Sequence, residues 1–270
     1  MRIVFATSEA NPYIKSGGLA DVLGSLPKAL VQKGHECIVV LPKYQDMKLA
    51  DTLEYVTNYD IWVGWRKCYC GVFKAEYDGV TYYFIDNEQY FRRPGLYGYD
   101  DDNERFAYFD FAVLELLSHI DIKPDILHLH DWQTAMIATL YKERYAYYEY
   151  YQGIKIVFTI HNIAYQGKCD PALLSDHFGL DNYLYYNGNC RNDGCFNMMK
   201  AAIYYSDIIT TVSPTYAQEI LTDSFGEGLQ NILQMRRHDL YGILNGIDYE
   251  TINPATDPEI VEHFDITNVD

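Results

Sequence analysis

The sequence predicts an α/β fold, with a mostly parallel sheet, helices on both faces and an added antiparallel hairpin. Three observations carry this. Short apolar runs alternate with longer segments of helical spacing along the chain. The first of them, Ile3–Ala6, Leu23–Lys33 and Cys37–Leu41, read as a strand, a helix and a second strand closing a β-α-β unit. Polar residues stand just past the C-terminal ends of the predicted parallel strands: Thr7, Ser8 and Glu9; His130 and Asp131; His161 and Asn162; Ser213; Asn245 and Asp248. In open α/β sheets ligands bind outside the carboxyl ends of the strands, so these residues mark one candidate rim.

The remaining elements follow in order. Asp60–Ala75 and Val80–Ile85 read as antiparallel strands around a turn near Tyr77-Asp78-Gly79. Asn103–Ile120 has helical spacing, Asp125–Leu129 is a strand after Lys123-Pro124, and Gln133–Tyr145 is a helix. Lys155–Ile160 is a strand, Cys195–Tyr205 a helix, Ile208–Val212 a strand, and Pro214 opens a short helix at a favoured first-turn position. Leu240–Leu244 is the last strand, and the acidic, proline-bearing stretch from Asn253 reads as a linker.

The 270 residues are 49% hydrophobic, enough for a sizeable core. A formal net charge of -17 argues against nucleic acid or an anionic membrane as the main partner. No apolar run has membrane-spanning length, no signal peptide is legible near Met1, and the expected compartment is the cytoplasm. The six cysteines show no paired C-x-x-C spacing and read as reduced thiols, with no metal expected. Many of the 27 tyrosines cluster in Tyr141–Tyr151, as a sugar-binding surface or simply as bias on amphipathic surfaces.

The segment Tyr13-Ile14-Lys15-Ser16-Gly17-Gly18-Leu19-Ala20-Asp21-Val22 lies between the first strand and the first helix. Paired glycines let backbone N–H groups approach an anion, the helix end adds positive potential, and Lys15 adds a full charge. Further blocks follow: Phe91-Arg92-Arg93-Pro94-Gly95-Leu96-Tyr97, Asp101–Phe106, His128-Leu129-His130-Asp131-Trp132-Gln133, Thr159–Gly167, Thr211–Ala217, Leu244–Asp248 and Asn253–Asp257. Taken in order, these resemble the ADP-glucose-dependent glycogen/starch synthase family over essentially the whole chain.

That resemblance implies the N-terminal half of a GT-B fold, in which two Rossmann-like domains face a cleft. Residues 1–250 would be the acceptor-side Rossmann-like catalytic domain and 251–270 the start of the interdomain linker. The family's Lys-Pro-x-x-x-Glu-x-x-Gly-Leu segment is not found in the sequence, so the C-terminal nucleotide-binding domain is expected to be absent from this chain and to be its partner. The implied reaction is retaining transfer of glucose from ADP-glucose to the 4-hydroxyl of an α-1,4-glucan such as a maltooligosaccharide, with no cofactor beyond that co-substrate. The isolated chain is expected to be inactive. A stand-alone glucan-binding module is the alternative.

By matching position, Lys15, Gly17 and Gly18 would face the donor's phosphates and sugar, with Asn162, Asn245 and Gly246 also on the donor side. Asp131, His161, Asp21 and Glu9 would border the reacting glucose. Capping is the competing reading for the acids, and for Asp131 it would be a cap on the Gln133 helix. Tyr97 would offer a face to a glucan unit, and Trp132 is a second acceptor candidate that packing would equally explain. Gln133 stands where relatives commonly carry histidine. It can donate and accept hydrogen bonds but cannot ionise near neutral pH.

Overall fold

The central strands of the sheet are runs buried along most of their length, as strands covered on both faces must be, while strands toward its two edges keep exposed positions. In chain order the strands are β1 (Arg2–Ala6), β2 (Glu36–Pro42), β3 (Glu54–Val63), β4 (Arg66–Tyr77), β5 (Val80–Asp86), β6 (Ile126–His130), β7 (Lys155–Ile160), β8 (Lys168–Cys169), β9 (Arg191–Asn192), β10 (Cys195–Asn197), β11 (Ile208–Thr211) and β12 (Leu240–Gly242). The helices are α1 (Gly18–Gln32), α2 (Glu88–Phe91), α3 (Asp102–His119), α4 (Met136–Glu143), α5 (Ala172–Asp176), α6 (Tyr183–Tyr186), α7 (Met198–Tyr205), α8 (Pro214–Glu219) and α9 (Gln230–Met235). The computed structural model describes residues 1–249, 252–258 and 260–268.

Nine strands form one sheet in the order β12-β11-β7-β6-β1-β2-β5-β4-β3. Every neighbouring pair from β12 to β5 is parallel, while β4 pairs antiparallel with both β5 and β3. A second, three-stranded sheet has the order β8-β10-β9. The fold class read from the sequence is therefore the one observed. Helix α3 is buried continuously from Arg105 to Leu114, and this span encloses two charged side chains, Arg105 and Asp110, among the apolar ones.

Several boundaries differ from the sequence reading. Helix α1 starts at Gly18 rather than Leu23, because Leu19 and Ala20 already bury with Leu23. The run Asp60–Ala75 is not one strand. It breaks at Gly64-Trp65, where Gly64 has φ +59° and a Cβ would lie 2.1 Å from the carbonyl oxygen of Asp176. That approach admits only glycine. The segment Cys195–Tyr205 is not helical throughout. Cys195–Asn197 is β10, and α7 begins where the Asn197 side chain accepts the N–H of Lys200 at 2.8 Å. Before α4, Trp132–Thr134 forms a separate 3-10 turn. The last strand ends at Gly242, and beyond it the described residues hold no helix or strand. Of the linker reading at 251–270, residues 251, 259, 269 and 270 lie outside the described residues.

The tyrosine-rich run serves packing. Tyr141 donates to the carbonyls of Tyr151 and Ile154 at 3.0 Å each, and Tyr145 meets Tyr151 edge to face at 5.0 Å. Tyr147 and Tyr148 point outward.

One buried cation organises the loop that reaches the cleft. The Arg105 side chain is fully enclosed, donates to the carbonyls of Tyr90 at 2.7 Å and Leu96 at 3.1 Å, and pairs with Asp102. It thereby ties α3 to the 92–102 loop that carries Tyr97. Removing one partner of a buried ion pair leaves the other charge uncompensated. We expect Arg105→Ala to cost about 3–5 kcal/mol of unfolding free energy in a denaturant titration, with Arg105→Lys recovering only part because a lysine cannot span both carbonyls.

Candidate active site

Strand β1 lies between β2 and β6, so the chain winds outward from it in both directions. The crevice expected at such a reversal opens at the carboxyl ends of β1 and β6. A cleft of about 840 Å³ lies there. It is lined by Glu9, Ser16, Gly17, Gly18, Leu19, Tyr97, Gly98, Asp102, Asp131, Trp132, Gln133, His161, Asn162, Tyr165, Val212 and Asn245. Four strand ends named from the sequence thus contribute: Glu9 after β1, Asp131 after β6, His161 and Asn162 after β7, and Asn245 after β12. Thr7, Ser8 and Ser213 are otherwise engaged. Thr7 bonds the Glu9 carbonyl at 2.9 Å, Ser8 bonds the Tyr97 hydroxyl at 2.7 Å, and Ser213 caps α8 by accepting from the Tyr216 N–H at 2.9 Å.

The glycine-bearing loop is arranged differently from the sequence expectation. The buried carboxylate of Glu9 already accepts the N–H groups of Ser16 and Gly17, the latter at 3.2 Å. Gly17 is the extended N-cap residue of α1. The Lys15 ammonium bonds both oxygens of Asp21 at 2.7 Å, and Asp21 also accepts from Asn11 at 2.6 Å. Lys15 and Asp21 therefore neutralise each other, and neither is among the residues lining the cleft. Gly246 lines an adjoining hollow against α1, together with Asn245.

Asp131 does not cap its own helix. Its Oδ1 accepts the N–H of His161 at 2.8 Å and that of Asn162 at 3.4 Å, joining the ends of β6 and β7. Burial raises its carboxyl to about 7, against the two amides that favour the charged form, and the Glu9 charge pushes the same way as burial. Its backbone sits at φ 57°, ψ -175°, a region that side chains avoid.

His161 is held from beneath. Its Nε2 lies 2.9 Å from Nδ1 of His130, which is wholly buried and lies tilted against His128 with ring centroids 4.3 Å apart. His128 Nε2 contacts Thr159 Oγ1 at 2.6 Å, and Thr159 contacts Thr210 Oγ1 at 2.6 Å. Burial lowers all three imidazoles, His161 to about 4 and His128 to about 3, with neighbouring histidines adding to the effect at His128 and His130. All three rings are neutral near pH 7.

Tyr97 is half-buried against Phe106 and anchored through Ser8, so it offers the cleft part of a ring rather than a free face. Trp132 lines the cleft and also packs edge-on to Phe106 at 5.3 Å. Gln133 is 8% exposed, and its Oε1 has no partner. Ser16, Asp102 and Tyr165 line the cleft too. They sit inside blocks read from the sequence, but nothing in a linear pattern distinguished them from their neighbours. The lining carries the carboxylates of Glu9, Asp102 and Asp131 and no lysine or arginine. Among the described residues, no group of three or more His, Cys, Asp or Glu side chains is placed to hold a metal ion, and no helix is long and apolar enough to cross a membrane.

Comparison with known proteins places this geometry. The profile of the family described as "Starch synthase catalytic domain" matches residues 2–235. A glycogen synthase of Clostridium botulinum (strain Eklund 17B / Type B) is 50% identical over 272 residues, which is 100% of this chain and 57% of that protein. A glycogen synthase of Lactobacillus acidophilus is 49% identical over 268 residues, 98% of this chain and 56% of that protein. The solved catalytic domain of Starch Synthase IV from Arabidopsis thaliana, bound to ADP and acarbose, superimposes with a TM-score of 0.89 at 39% identity, over 97% of this chain and 55% of that one. The chain thus spans little more than half the length of the relatives it matches. With its full length aligned to glycogen synthases and most of it matched by the family profile, the chain belongs to the starch synthase catalytic domain family.

Proposed function

We propose that this chain is the N-terminal, acceptor-side domain of a retaining glucosyltransferase that moves glucose from ADP-glucose to the 4-hydroxyl at the non-reducing end of an α-1,4-glucan. The observation that carries the reading is the cleft at the carboxyl ends of β1, β6 and β7, in a chain of this family, with the Asp131 carboxylate accepting the backbone N–H of His161 at its rim. The solved relative that carries ADP and acarbose supports a nucleotide and a saccharide as ligands.

Breaking the glycosidic bond develops positive charge on the anomeric carbon and negative charge on the leaving phosphate. Glu9 and Asp131 suit the first. The second needs cations, and this lining has none, so a partner domain supplies most of them, with Lys15 joining once it leaves Asp21. The Asp131 oxygen that accepts the His161 and Asn162 amides is committed to holding the site open. The departing phosphate then deprotonates the acceptor hydroxyl on the same face, which preserves configuration without a carboxylate nucleophile. A neutral His161 contributes hydrogen bonds rather than charge. The route needs no metal ion where basic residues neutralise the phosphates.

Radiolabelled transfer from ADP-glucose to glycogen should be near background for the 270-residue chain and robust for the same chain joined to a family C-terminal domain. Turnover by the short chain alone would refute the divided-cleft reading, and maltooligosaccharide binding without transfer by either form would favour the binding-module alternative. In the joined form Lys15→Ala should raise the KM for ADP-glucose about tenfold, a loss of about 1.4 kcal/mol.

Asp131 supplies a pH test with a defined sign. Its folded carboxyl, at about 7, lies above the ordinary value of about 3.9. The folded state therefore binds more protons than the unfolded state between these values, and stability falls as pH rises through the window. Asp131→Asn should raise unfolding free energy by on the order of 4 kcal/mol at pH 8, leave it unchanged at pH 3, and abolish transfer in the joined form. Equal effects on stability at both pH values would disprove the raised carboxyl.

A further inference from the structure

His130 ends β6 beneath the cleft and has no direct contact with it. Its Nδ1 faces Nε2 of His161 at 2.9 Å, while its own Nε2 is enclosed and has no partner. The ring is packed between Phe5, with centroids 6.1 Å away, and His128 at 4.3 Å. A neutral imidazole carries one N–H, so the contact between the two rings admits two proton arrangements. In one, His161 donates from Nε2, and the proton of His130 must sit on the enclosed Nε2, an N–H with no acceptor. In the other, His130 donates from Nδ1, and only a lone pair is left bare in the core. Buried orphan N–H groups are the rarer and costlier defect.

We infer that His130 is a positioning residue: it donates from Nδ1 to Nε2 of His161 and so holds the proton of His161 on Nδ1. Among the described residues, Nδ1 of His161 makes no hydrogen bond and is not an enclosed, unpartnered atom. It is therefore the ring nitrogen left for the cleft, and it is held there as a donor. His161 then presents an N–H to an oxygen of the cleft ligand and has no lone pair with which to take the acceptor's proton. Which tautomer His161 holds is independent of the proposed transferase reaction, and only the use made of its N–H rests on that reading.

The test is long-range 1H–15N correlation of the 270-residue chain labelled at histidine, without ligand, with the His161 signals assigned by their loss in His161→Asn. The expected pattern is a protonated Nδ1 and a bare, hydrogen-bonded Nε2 on His161. In His130→Phe, which removes the donor, the majority proton should move to Nε2. His130→Asn places an amide N–H near the position of the lost Nδ1 and should restore the original pattern. A wild-type His161 protonated on Nε2 overturns the inference outright, as does an unchanged Nδ1–H in a folded His130→Phe. If His130→Phe does not fold, the wild-type spectrum and His130→Asn still decide. Loss of the pattern in His130→Asn despite native chemical-shift dispersion would also count against it.

Discussion

The site depends on one carboxylate. Asp131 takes the backbone N–H groups that follow β7 onto a side chain that follows β6, and together with the His130–His161 contact this fixes the distance between the two strand ends at the rim. Two amide donors stabilise its charge, but burial outweighs them and leaves it with a raised affinity for protons. The same group is thus both a structural tie and an acid whose carboxyl is raised to about 7. Behind it the histidine column is kept uncharged chiefly by burial, with the neighbouring rings adding to the effect at His128 and His130.

Charge in the cleft is unevenly divided. Acids face the hollow, and the lysine nearest to it is paired with Asp21. The amides that open α1 are likewise occupied by Glu9. An anion arriving at this loop has to exchange with carboxylates that already mimic it. On the proposed reading the surface is the sugar-facing side of a shared site, with the cations that balance it supplied from the partner domain.

Much of this was legible in the chain. Lys155–Ile160 was read to the residue because a largely apolar stretch gives way to polar side chains, and Asp131 and His161 stood out because they stand just past the ends of such strand-like stretches. What stayed hidden depends on distant contacts. The break at Gly64 exists because the Asp176 carbonyl presses against it. Strand β10 pairs through only a few residues of β8 and β9, too short a stretch to show a period. The pairing of Lys15 with Asp21, the grip of Glu9 on the loop, and the orphaned nitrogen of His130 leave no mark on spacing at all. The short helices α2, α5 and α6 fall below the length at which an amphipathic repeat can be recognised.

The unusual backbone at position 131, with φ 57° and ψ -175°, bears on how the family can drift. Any β-carbon there carries a conformational penalty of about 1–3 kcal/mol, offset here by the hydrogen bonds that the aspartate makes. A replacement that forfeits those bonds inherits the penalty with no return, and a branched side chain enlarges it. Evolutionary escape is therefore channelled toward glycine, which removes the penalty, or asparagine, which keeps an acceptor. A descendant that abandoned its chemistry would carry one of those two residues as a fossil of the fold it kept.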